Sequence, residues 1–215
     1  MKERPILFSS EMVRAILAGR KTQTRRVVKP QSDSFITHCY PEQTDDFSAQ
    51  TGLWIAATGD RGTSKAQGTF ECPYGVPGDR LWVRETFYCD TDHDDPDAME
   101  NLYYMADAQD KHWCCELIPE CQCGDVGKPR AKPGIHMPRW ASRITLEIKE
   151  IRVERLQDIS DDDCVAEGFE VGHPAGPLHW YQGLWNYINP KYPWPSNPWV
   201  WIITFHAISD ETRAE

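Results

Sequence analysis

The chain has 215 residues, 40% hydrophobic and 26% charged, with 33 acidic against 23 basic side chains and a formal net charge of -10. That length and apolar content supply one domain with a core and exclude global disorder, while the acidic balance argues against a broad, nonspecific nucleic-acid surface. No segment approaches the run of roughly 20 apolar residues that a membrane helix requires, and the start "MKERPILFSSEM" lacks a secretory apolar stretch, so a cytoplasmic protein with no membrane partner is expected.

The first elements are a short strand and a helix in "ILFSSEMVRAILAG". Ser9 or Ser10 can cap the helix, Met12, Val13, Ile16 and Leu17 recur at helical spacing, and Gly19 ends it. Five basic residues follow between Arg20 and Lys29. Arg20 and Lys21 suit a helix C-terminus, where cations meet exposed carbonyls, but that effect does not reach Arg25, Arg26 or Lys29. From about 31 to 68 the chain is polar with little periodicity and reads as an inserted surface loop.

"PYGVPGDRLWVRETFY" reads as a turn at Pro77, Gly78 and Asp79 and then an alternating strand, with Leu81, Val83, Glu85 and Phe87 on one face and Trp82, Arg84, Thr86 and Tyr88 on the other. Glu85 on an apolar face calls for a cation or a raised pKa, and the basic stretch is the expected supplier. Residues 90 to 130 form a second insertion. Within it Cys114, Cys115, Cys121 and Cys123, with His112, offer soft ligands for zinc. Their spacing departs from paired zinc knuckles, so free thiols are the reading and no metal or other cofactor is expected.

"HMPRWASRITLEIKEIRVERL" begins a strand whose apolar phase slips by one residue between Ile148 and Ile151, which suggests a bulge in a bent sheet. Arg139, Trp140 and Arg143 stand at its start, suited to phosphate contact and base stacking, or in the case of Trp140 to core packing. "ISDDDCVAEGF" is a short helix capped by Ser160, with Ile159 as a staple and Gly168 closing it. The triplet Asp161 to Asp163 is accounted for by the first-turn dipole. Glu167 opposes that dipole and needs a nearby cation. Leu178, Tyr181, Trp185 and Ile188 mark another amphipathic helix, and "NPWVWIITFHAI" is apolar on both faces, as a central strand would be.

In combination, "ILAGRKTQTRR", the "GDRLWVRE" strand and the helix ending "AEGF" resemble the ASCH family of the PUA-like superfamily, in particular the longer ASCH proteins of tailed phages and prophages. The family's mark is met by Gly19, Lys21, Thr24 and Arg26. The resemblance implies an α+β fold, a small bent β-barrel flanked by helices, in a single domain over 1–215 with polar insertions near 31–68 and 90–130. It implies a cleft for RNA, single-stranded nucleic acid or a modified nucleoside. One branch hydrolyses the acetyl amide of N4-acetylcytidine with a lysine, a threonine and a glutamate, which correspond to Lys21, Thr24 and, with the capped helices superposed from Leu156, Glu167. In that scheme Thr24 is the nucleophile, Lys21 its base and Glu167 the proton carrier. Arg26 or a backbone N–H would hold the oxyanion, and Glu85 is an alternative acid or the residue orienting Arg26. Arg20, Arg25, Arg26, Glu85, Trp82, Arg139, Trp140 and Arg143 are the expected substrate contacts. A non-catalytic binding module is the competing expectation, and a ribonuclease, which if metal-dependent would draw on Asp161 to Asp163, is the remaining one.

Overall fold

A computed structural model describes residues 1–31, 38–41, 53–58, 65–89, 102–108 and 131–208. The fold is α+β. Five strands, β1 (Glu3–Leu7), β2 (Gln23–Val27), β6 (Arg80–Arg84), β9 (Thr145–Arg155) and β10 (Trp199–Ile208), make one sheet in the order β1-β6-β9-β10-β2. The β1–β6 pair is parallel and the others are antiparallel.

The central-strand expectation for β10 holds. Trp201, Ile203 and Phe205 enter the larger core with Ile6, Phe8, Val83, Leu146 and Ile148. Val200 and Ile202, on the opposite face, enter a second core with Leu156, Phe169, Tyr181 and Trp185. A strand apolar on both faces is thus buried on both, as the sequence requires. The phase slip in β9 is a real irregularity: Thr204 faces Glu150 while Phe205 faces Ile148, so Lys149 is the extra residue. That extra residue keeps Leu146, Ile148, Ile151 and Val153 all against the larger core despite their broken spacing.

Helix α1 (Ser10–Leu17) starts at Ser9, whose Oγ accepts from the Met12 N–H, and it is followed by Gly19 at φ 71°. Helix α2 (Asp161–Ala166) has a reciprocal cap between Ser160 and Asp163. Helix α3 (Pro177–Ile188) buries Tyr181 and Trp185 but leaves Leu178 and Ile188 exposed, so its apolar stripe is rotated from the expected one and completed by Trp180 and Leu184.

Several expectations are corrected. Among the described residues the sheet does not close into a barrel: β1 and β2 are its edges. They are linked instead by a side chain, Arg26 Nη2 donating to the Leu7 carbonyl at 2.7 Å. The region 31–68 is not loop throughout. β3 (His38–Pro41), β4 (Leu53–Thr58) and β5 (Lys65–Glu71) form a second, antiparallel sheet, tied to the core by Trp54 edge-on to Trp201 at 5.3 Å. A third sheet pairs β7 (Phe87–Cys89) with β8 (Leu102–Tyr104). The strand predicted across 80–88 therefore breaks at Glu85, and within β6 Leu81, Trp82 and Val83 are all buried instead of alternating. The candidate zinc residues Cys114, Cys115, Cys121 and Cys123, and His112, lie outside the described residues.

Candidate functional site

The turn after α1 places Lys21 beneath the end of α2. Gly19 and Gly168 make this approach possible. Gly168 sits at φ +108°, and a Cβ there would meet Ala15 Cβ at 3.2 Å and Lys21 Cβ at 3.5 Å. With both chain ends so close, Lys21 Nζ donates to the Glu167 carbonyl at 2.8 Å and to Glu167 Oε2 at 2.7 Å. The lysine side chain is fully buried and the glutamate is 3% exposed. Glu167 thus has the cation that its position at a helix C-terminus demanded.

Arg25 completes the cluster from β2. Its Nη1 lies 3.4 Å from Glu167 Oε1 and its Nη2 3.0 Å from Asp163 Oδ2, with no exposure of the side chain. Asp163 also accepts from Gln23 Nε2 and Arg152 Nη2, each at 3.0 Å. Against the opposing effect of burial, the hydrogen bonds from Gln23 and Ser160 and the charge of Arg25 hold its carboxyl well below the usual carboxylate range. Burial depresses the Lys21 pKa, Glu167 opposes the shift, and the charges of Arg26 and Arg25 add a smaller lowering. Arg20 reaches outward and donates to the Gly168 carbonyl at 3.3 Å.

Thr24 is buried in β2, paired opposite Ile203. Alternation puts it on the face of Arg26 and the larger core, whereas Gln23 and Arg25 face α2. Lys21 and Thr24 do not share a helical turn, because α1 ends at Leu17 and β2 begins at Gln23. Lys21 lies between the two faces: its Nζ is 5.8 Å from the centre of the Phe8 ring, over which Arg26 is also placed at 5.2 Å.

A cleft of about 220 Å³ opens above this cluster, lined by Glu11, Met12, Arg14, Arg20, Glu167, Gly168, Glu170, His173, Trp180 and Leu184 among others. Its lining carries three carboxylates, two guanidiniums and an imidazole, so this cleft, among the described residues, is of mixed and not basic character. The positive charge of the "GRKTQTRR" stretch is largely turned inward, onto Glu167, Asp163 and the Leu7 carbonyl.

The remaining predicted contacts are elsewhere. Glu85 is 1% exposed and takes its cation from Arg143, at 3.0 Å, and not from the basic stretch. Burial pushes the Glu85 carboxyl up, and Arg143 only partly offsets this. Arg143 also grips Asp107 at 2.7 Å and lies 3.9 Å over the Tyr104 ring. Glu85 neither orients Arg26 nor meets Lys21; the Arg26 bond goes to Leu7. Trp82 is buried between Arg84 and Arg139, whose guanidiniums are 4.7 and 5.9 Å from its centre. Arg139 is paired with Glu3 at 2.9 Å. Trp140 is 49% exposed, so it is not a core residue.

Sequence reasoning missed Asp163, His173 and Trp180. The first was absorbed by its role as a cap, and the other two lie on the segment after Gly168 that carries no motif. Among the described residues no helix is long and apolar enough to span a membrane, and no group of three metal-ligating side chains gathers.

No protein-family model matches the chain, and no curated protein sequence matches it. A solved structure of an ASCH domain from Lactobacillus crispatus aligns with it at 10% identity and a TM-score of 0.41, over 96% of this chain and 79% of that one.

Proposed function

We propose that the protein binds a modified nucleoside in the cleft above Glu167 and hydrolyses an N-acyl amide on its base, N4-acetylcytidine being the reference substrate. The observation that carries this reading is the 2.7 Å contact between buried Lys21 Nζ and Glu167 Oε2, with Glu167 in the cleft wall. In a water-poor setting a proton can pass along this contact, ammonium–carboxylate becoming amine–carboxylic acid, without creating a lone charge. The second form presents a base and an acid at once. Lys21, which lies between the two faces of β2, takes the Thr24 hydroxyl proton as its oxygen adds to the carbon of an acyl group that reaches past Lys21 from the cleft, and Glu167 protonates the departing exocyclic amine. The Lys21 ammonium then returns a proton to Glu167 across their hydrogen bond. Water, deprotonated by the Lys21 amine, adds to the acyl carbon, and the resulting ammonium returns that proton to the Thr24 oxygen as the acyl group leaves as its acid. Arg26 is the side-chain candidate for holding the oxyanion from the Thr24 face of β2.

The mixed charge of the cleft favours a nucleoside over a phosphate-rich strand, since counterion release requires cations free to meet phosphates. Purified protein should release acetate from N4-acetylcytidine, followed by mass spectrometry. Thr24→Ala should abolish release and leave binding intact. A second reading, binding without turnover, is favoured by one observation: Lys21 Nζ and both Glu167 oxygens are already engaged within the protein. Binding of the nucleoside with no acetate released by the wild type would establish it.

A further inference from the structure

The cleft has an apolar wall and a polar one. Trp180 is half-buried, held edge-on by Phe169 at 5.5 Å and flanked in the cleft by Leu184 and Met12. His173, an exposed residue whose ring is also edge-on to Phe169, at 6.1 Å, shares this lining. His173 Nδ1 accepts from the Ala175 N–H at 3.2 Å. A ring whose Nδ1 is an acceptor carries its proton on Nε2 when neutral, so His173 offers the cleft one N–H donor of fixed tautomer. Phe169 therefore positions both an indole and an imidazole donor beside the Glu167 acceptor. The lysine–glutamate chemistry requires neither.

We propose that Trp180 and His173 are the base-reading residues of the cleft: Trp180 stacks on a pyrimidine, and the His173 Nε2–H bonds to its 2-carbonyl oxygen. This rests on the nucleoside reading of the site and adds to it the residues that select the ring. A planar heterocycle fits because an indole gives stacking to any aromatic face, while one fixed donor distinguishes an acceptor edge from a donor edge. The 2-carbonyl and the exocyclic nitrogen of such a pyrimidine flank ring N3 on one edge, so the edge read by His173 is also the one presented to Glu167.

The test is calorimetric titration of the full chain with N4-acetylcytidine and with its 2-thio analogue, whose sulfur is a poorer acceptor. Trp180→Ala should weaken binding about 10- to 100-fold and Trp180→Phe only a few-fold. His173→Ala should weaken binding of the carbonyl compound about 10-fold but that of the thio compound little. Tyr187→Ala, on the exposed side of α3, should change neither, and melting curves check that each variant is folded. Equal losses for both compounds in His173→Ala, or wild-type affinity in Trp180→Ala, would overturn the proposal even if acetate release persists. Absence of wild-type binding to N4-acetylcytidine would overturn it too. Binding that follows the expected pattern without acetate release would uphold it while removing the hydrolytic reading.

Discussion

Replacing Lys21 by Met leaves Glu167, 3% exposed, with its remaining cation Arg25 at 3.4 Å. Breaking a buried ion pair from one side typically costs 3 to 5 kcal/mol, because a charge is left without its partner or its solvent. Arg25 retains part of the compensation, which places the expected loss at the lower end, about 3 kcal/mol. For a chain of this size that corresponds to a fall in Tm of roughly 6 to 12 °C. Glu167→Gln alone strands the lysine, whose charge is opposed by burial. The double variant Lys21→Met, Glu167→Gln removes both charges and should recover part of the loss, with a coupling of about 2 kcal/mol in a double-mutant cycle. Urea unfolding at neutral pH reads all four proteins. Single variants within about 0.5 kcal/mol of the wild type, with strictly additive effects, would refute the claim that the two groups are buried against each other.

Gly168→Ala should destabilise by about 1 to 3 kcal/mol, measured by the same unfolding curves, since it combines φ +108° with a Cβ 3.2 Å from Ala15 Cβ. Asp163→Asn should lower stability at pH 7. The Asp163 carboxyl is held below its ordinary 3.8, so its contribution is present above that value and fades as pH falls below it. The gap between wild type and variant should therefore narrow on acidification, and a gap constant from pH 7 to pH 2 would contradict this. Burial pushes the Cys72 and Cys164 thiols up to about 11. Site-resolved mass spectrometry should find neither alkylated by iodoacetamide at pH 8 in the native protein and both alkylated in urea. In the small turn before β6, Asp79 accepts from the Lys2 N–H at 2.6 Å and from Arg4 at 3.0 Å. Asp79→Ala should accordingly loosen the β1 edge, visible as faster amide exchange at Arg80, whose N–H donates to the Lys2 carbonyl.

Local rules made a good part of this legible from sequence. Ser160 and Ser9 as caps, Gly19 and Gly168 as stops, the doubly buried β10 and the slip in β9 each follow from a few neighbouring residues. So did the demand of Glu167 for a cation, because an acid at a helix C-terminus is unfavourable by itself. The identity of partners was less accessible. Glu85 and Arg143 are 58 positions apart, and nothing in either segment says that the break after β6 brings them together. Asp163 explained itself as a cap, which hid its contacts with Gln23, Arg25 and Arg152. The stripe on α3 was misphased because Leu178 and Ile188 match the helical period but lie beyond the surface that Phe169 and Tyr181 cover. β3 and β5 escaped because they are short with no clear period of two, and β4 because its apolar run, Leu53 to Ala57, does not alternate with polar residues. Lys21 and Thr24 were identified by motif, yet the face each would take was not legible, because the chain turns from loop to strand between them at Gln23.

The Arg26–Leu7 bond makes the two margins of the main sheet meet at a side chain and not through paired backbones. Rotation of one guanidinium is fast compared with unzipping a ladder of amides. The seam can therefore part and reseal without any strand losing its neighbour, and Phe8, which lies beneath that guanidinium, becomes the first core ring that solvent would reach.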